Sequence, residues 1–205
     1  MKSLSLVTAP TTYPVTRAEA KLYAKIDTSD EDTLIDSLIA AATSSAEEYL
    51  RRALITQTLK LTLDSGSNSL DNMLGDGVYD LPVSAVYGSL PRIVRLPKAP
   101  IQSITHVKTY NTSNVLSTYS SSNYFLDTSG ARLVLNQTAV WGSDMRAQAS
   151  CEITYVAGYG LAASVPAPIK TAIMMHIQSM YDERLICEMP QICKNLLDQF
   201  RIYGL

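Results

Sequence analysis

The chain has 205 residues, 17 Lys and Arg against 19 Asp and Glu, and a hydrophobic content of 46%. That is enough for one sizeable core or two small ones, and a net charge of −2 excludes a protein whose whole surface grips nucleic acid. No run approaches the roughly 18 apolar residues of a membrane span, and the amino end, MKSLSLVTAPTTYP, is too short and polar for a signal peptide.

Cys151, Cys187 and Cys193, an odd set without metal-ligand spacing, read as reduced thiols of a cytosolic protein. Twelve Tyr stand against two Phe and one Trp. Tyr suits half-buried places such as sheet edges and subunit interfaces, because its ring is apolar and its hydroxyl needs a partner.

Residues 1–15 read as an extended arm. Thr16 and Glu19 have the spacing of a capping box, in which each residue satisfies a backbone N–H of the other, and open a short helix over 17–25. A second such pair, Thr28 and Glu31, predicts the start of the main helix, over 28–54. Asp30, Glu31 and Asp32 set negative charge at the positive end of its dipole, and Arg51 and Arg52 set positive charge at the other. Leu34, Ile35, Leu38, Ile39, Ala42, Ala46, Tyr49, Leu50 and Ala53 recur at three- and four-residue steps, giving one broad apolar face. Its small middle, residues 40–46, lets a second helix approach closely.

From Ile55 the period changes to two. Leu59, Leu61 and Leu63 alternate with polar neighbours, a strand with one buried face. Residues 64–92, rich in Ser, Gly, Asn and Asp, form a long connection with a hairpin over 78–87; connections of that length are usually functional or disordered. Strands resume over 93–96, 101–110, 115–119, 124–126, 132–135 and 150–156. Pro97 and Pro100 place the 101–110 strand at a sheet edge, since proline cannot donate to a ladder. Pro166 and Pro168 suit the first turn of a helix running to 186, with His176 and Tyr181 on its apolar face. Pro190 begins a last helix with Ile192, Leu196, Leu197, Phe200 and Tyr203 to one side. The pattern predicts an α+β fold in a single domain, 1–205. N- and C-terminal helices (17–54 and 166–204) form a bundle, and a mainly antiparallel β region (55–156) is inserted between them.

No constellation for catalysis emerges. His106 lies in a strand away from Cys or carboxylates, and His176 on an apolar helix face. The run DSGSN at 64–68 lacks the sixth-position glycine and closing glutamate of a calcium loop. HExxH, paired CxxC, P-loop and nucleophile-elbow patterns are absent. Cys187 and Cys193, near Arg184 and Lys194, read as buried inert thiols. Arg92, Arg95 and Lys98 make a basic strip, either DNA-facing or an ordinary exposed strand face. The reading is a non-enzymatic protein with no metal and no cofactor; a hydrolase using Asp or Cys is disfavoured because no nucleophile–base pair can be named.

The runs YPVTRAEAKLYAKID and TSDEDTLIDSLIAAATSSAEEYLRRALITQTLKLTLD resemble the amino half of the head–tail connector proteins of long-tailed bacteriophages. LPKAPIQSITHVKTY, NYFLDTSGARLVL, ITYVAGYG and VPAPIKTAIMMHIQSMYDER resemble the rest of that family's longer, β-containing branch, in the same order. The resemblance implies a head-completion (adaptor) protein, a ring of commonly twelve copies beneath the portal protein of a DNA-filled capsid. It implies a ring in the virion neck, assembled in the host cytoplasm, that extends the DNA channel and docks downstream neck and tail proteins. Packaged DNA would pass without sequence recognition. On this reading 28–54 and 166–181 supply the helical core and part of the subunit contact, through Ala42, Ala46, Tyr49 and Tyr181. Residues 190–205 dock on portal or a neighbour through Leu196, Leu197, Phe200 and Tyr203, unless the last helix closes the chain's own core. Deleting 190–205 then removes portal binding and leaves the fold. A tail terminator, which would bind the tail tube, is the alternative.

Overall fold

The computed structural model describes residues 2–65, 90–183 and 188–203. The fold is α+β, and the chain divides into two compact units. A helical unit comprises Ala9–Gln57, Pro97–Pro100 and Ala157–Leu205; a β unit comprises Met1–Thr8, Thr58–Leu96 and Ile101–Val156.

In the helical unit, α1 (Arg17–Ala24) starts on the predicted capping box. The Glu19 N–H donates to Thr16 Oγ1 at 3.2 Å and the Thr16 N–H donates to the Glu19 carboxylate at 2.7 Å. Thr16→Ala removes the acceptor of the Glu19 N–H and is expected to cost about 1 kcal/mol, measured as a shifted urea midpoint. The main helix, α2 (Asp32–Leu50), differs from expectation at both ends. Glu31 is its N-cap and makes no capping bond. Its carboxylate instead accepts from the Tyr181 hydroxyl, while the Thr28 carbonyl accepts from the Lys21 ammonium at 2.6 Å. Tyr181 has thus taken the carboxylate that the Thr28–Glu31 spacing would pair with a backbone N–H. At the other end Arg51 turns left-handed at φ 56°, so Arg51 and Arg52 lie beyond the helix.

Most of the apolar face of α2 is as read: Ile35, Ile39, Ala42, Ala46 and Leu50 are buried, while Leu34, expected on the same face, is 44% exposed. It packs on α3 (Ala167–Glu183), which contributes Ile169, Ala172, Ile173, His176 and Ile177. The last helix, α4 (Gln191–Asp198), adds Cys193 and Leu197 to this core, and Val15, Ala20, Leu54 and Ile55 complete it.

Arg17 bridges Asp36 and Asp32, and Lys21 holds Asp32 at 2.7 Å, tying α1 to α2. The Lys21 hydrogen bond lowers the Asp32 pKa, and the Arg17 hydrogen bond lowers that of Asp36. A depressed folded-state pKa contributes stability above the unfolded carboxylate value of about 4, and that stability is lost as pH falls through the folded-state value. The urea midpoint is therefore expected to fall as pH drops from about 4 through the folded-state values, with a flatter acid limb in an Asp32→Asn/Asp36→Asn variant.

The β unit holds two sheets. The larger has the order β1-β2-β8-β4-β5, with β1 Lys2–Thr8, β2 Gln57–Leu63, β4 Ile101–Tyr110, β5 Leu116–Tyr119 and β8 Cys151–Ala157. In β2 the alternation buries Leu59, Leu61 and Leu63, as predicted. The amino-terminal arm is a strand: β1 pairs antiparallel with β2, setting Leu4 opposite Leu61 and Leu6 opposite Leu59, and is exposed along its length. Strand β4 lies between β8 and β5 rather than at an edge. Pro97 and Pro100 precede it, in the segment Pro97–Pro100, where no ladder N–H is required. The hairpin expected over 78–87, and Arg184 and Cys187, lie outside the described residues.

Candidate assembly surfaces

The smaller sheet, order β3-β7-β6, is built from β3 (Ile93–Arg95), β7 (Arg132–Leu135) and β6 (Tyr124–Asp127). Its register fixes three rows: Ile93–Val134–Phe125, Val94–Leu133–Leu126 and Arg95–Arg132–Asp127. Side chains alternate between faces, so the middle row points inward, with Val94 and Leu133 buried, and the other two share the outer face. Ile93 and Phe125 are 48% and 52% exposed. Beside this apolar row, Arg95 stands directly opposite Arg132. The Arg132 Nε donates to Asp127 Oδ2 at 2.7 Å. The Gly130 N–H and then Arg132 hold the Asp127 carboxyl below its usual range.

The predicted basic strip is divided. Arg92 donates to the carbonyls of Asn136, Gln137 and Ala139 at 2.6–3.0 Å, closing a loop of its own unit. Lys98, in the helical unit, pairs with Glu47 at 3.4 Å. That carboxylate also accepts the Leu54 N–H at 2.8 Å and the Gln57 amide at 3.0 Å. Arg95 is exposed on the small sheet.

The predicted portal-docking residues do not share one open face. Leu197 is fully buried in the helical core, Leu196 and Phe200 pack partly against that core, and Tyr203 is 68% exposed. A polar latch holds the segment after α4 on the end of α2. The Tyr49 hydroxyl donates to Asp198 at 2.5 Å and the Tyr203 hydroxyl donates to the same oxygen at 3.3 Å. The Arg201 guanidinium lies over the Tyr49 ring at 4.4 Å, and the Ile202 N–H donates to the Leu50 carbonyl at 3.1 Å. Arg52 Nε donates to the Phe200 carbonyl. Ile192, on the same helix, is 57% exposed.

Of the predicted subunit-contact residues, Ala42 and Ala46 are buried within the helical core, Tyr49 belongs to the latch, and Tyr181 binds Glu31. That last bond joins the start of α2 to the end of α3, where Asp27, Asp30, Asp182 and Glu183 are all exposed. Sequence reading missed this acidic end and the Ile93–Val134–Phe125 row. The strands and charges were visible, but the pairing that assembles them is long-range.

Reactive groups are muted by burial. Desolvation pushes the Cys151 thiol up to about 12 and raises that of Cys193, so neither is poised as a thiolate. Among the described residues no three His, Cys, Asp or Glu side chains are placed to hold a metal ion, and no helix is long and apolar enough to cross a membrane.

The helical core is closed, while strand β1, Ile93 and Phe125 are exposed. The chain belongs to the phage gp6-like head-tail connector protein family, whose model matches residues 16–130. It is a structural head-tail connector. The same fold occurs in a chain from the neck of an empty gene transfer agent (GTA) particle computed with C6 symmetry. That chain is 19% identical, with a TM-score of 0.73 and coverage of 99% of this chain and 97% of that one. It occurs again in the virion of the native GTA particle (19% identity, TM-score 0.72, 98% and 96% covered). A chain of the native GTA neck computed with C12 symmetry aligns at 17% identity, with a TM-score of 0.64 and coverage of 99% and 97%. Among curated proteins none matches.

Proposed function

We propose that this connector works as a homo-oligomeric ring of twelve copies, seated beneath the portal protein, that extends the DNA channel and offers a docking surface to downstream neck and tail proteins. The observation that carries the reading is the end-to-end match of this fold to neck chains of GTA particles, one of them computed with twelvefold symmetry. Head-to-tail contacts that close make such a ring, and they require two different side surfaces on each copy. The sheet face and the acidic helical end are two such surfaces. The protein acts by shape and transforms no substrate. Its buried, raised thiols are consistent with that.

Portal docking falls to the exposed part of the last helix and its latch, Ile192 and Tyr203, with Leu196 and Phe200 behind them. DNA slides past a wall whose cations are largely engaged within the chain, as Arg92 and Lys98 are, so sequence-independent grip stays weak. Native mass measurement and electron microscopy with purified portal rings test this: a twelve-copy ring stacked on portal is expected. A chain that ignores portal and caps tail tubes would instead be a terminator.

A further inference from the structure

We infer that the outer face of the small sheet in one copy seats on the acidic end of the helical unit in the next, making the repeating contact of the ring; this rests on the ring reading above. Directly opposed like charges destabilise a sheet, yet Arg95 faces Arg132 across the strands. Asp127 serves Arg132 at 2.7 Å, and Arg95 is exposed beside them. A carboxylate supplied from outside the chain relieves that opposition. The neighbouring Ile93–Val134–Phe125 row gives the contact an apolar centre with cations at its margin, the usual layout of a specific interface.

The second copy carries the complement. Asp27 and Asp30 precede Glu31 and Asp182 and Glu183 follow Tyr181, all four exposed, with the 44% exposed Leu34 on the adjoining turn of α2. Sheet face against sheet face would bring two Arg rows together, and acidic end against acidic end two carboxylate clusters. The attractive pairing joins unlike surfaces, which is the heterologous arrangement that closes rings.

Two variants that spare the fold provide the test. Arg95→Glu replaces a like-charge pair with an attractive one opposite Arg132. Asp182→Lys/Glu183→Lys puts cations at a helix carboxyl end, where the dipole favours them. Each is expected to raise the protein concentration needed for ring assembly roughly tenfold at about 50 mM salt, and less at about 500 mM. Combining them in one chain restores assembly. Sedimentation and native mass measurement give the readout, and thermal melts verify folding. Single variants that assemble like wild type, or a folded combined variant that does not recover, overturn the contact. Rings of Arg95→Glu that form normally but retain less duplex DNA overturn it in favour of a channel-wall role for this face. Wild-type chains that stay monomeric beside portal rings defeat the ring reading itself, and the contact with it.

Discussion

Gly158→Ala is expected to cost about 4 kcal/mol and to lower the melting temperature of the helical unit by roughly 10 °C. Gly158 follows β8 with φ +124°, a conformation that side-chain-bearing residues rarely adopt. A Cβ there would lie 2.4 Å from the Ile55 carbonyl oxygen and 2.8 Å from the Thr56 nitrogen, both backbone atoms that cannot swing aside. Moving them breaks a knot of main-chain bonds. The Gly158 N–H donates to the Pro100 carbonyl at 2.9 Å, Tyr159 N–H to Leu54 at 3.1 Å, and Thr56 N–H to Gly160 at 3.1 Å. Gly160→Ala is the control. Its φ is also positive, +120°, but the new Cβ meets only the Ser164 side chain, at 3.4 Å. It carries the conformational strain without the collision, so its smaller loss of melting temperature isolates the steric part of the Gly158 effect.

What the sequence made legible follows the range of the interaction concerned. The Thr16–Glu19 box formed because both partners lie within one turn. The identical Thr28–Glu31 spacing failed because Tyr181, 150 positions away, takes the Glu31 carboxylate. The buried faces of α2 and β2 were readable because a single apolar layer imposes its period on them. Strand β1 was read only as an extended arm: Ser3-Leu4-Ser5-Leu6 alternates, but the run is short, and its leucines stay exposed in the sheet. Spacing also misled at Arg92, Arg95 and Lys98. Three-residue steps suggested one basic strip, whereas Arg92 and Lys98 are drawn to carbonyls and to Glu47, and only strand register shows that Arg95 faces another arginine. The outer face of the small sheet thus lay outside the reach of pattern reading, although all three of its strands were found.

Leu197→Ala is expected to cost about 3 kcal/mol, the ordinary penalty for emptying a leucine site in a packed core. Leu197 is fully buried beside Leu50, Ile173 and Cys193 in the helical cluster, and a urea titration of the monomer reads the loss. This changes how portal docking must be tested. Deleting residues 190–205 removes Cys193, Leu197 and the Tyr49–Asp198 latch together, so the deletion is expected to unfold the helical unit. Lost portal binding would then report lost structure. Ile192→Asp separates the two effects, because the side chain is 57% exposed and the substitution is expected to change stability by less than about 0.5 kcal/mol. If the last helix docks on portal, Ile192→Asp weakens the complex while its melting curve overlays wild type. Leu197→Ala should do the reverse at temperatures where it remains folded, binding portal normally despite the lower urea midpoint. A helix that only closed its own core would show binding unchanged by Ile192→Asp, and the docking role would then pass to another surface of the ring.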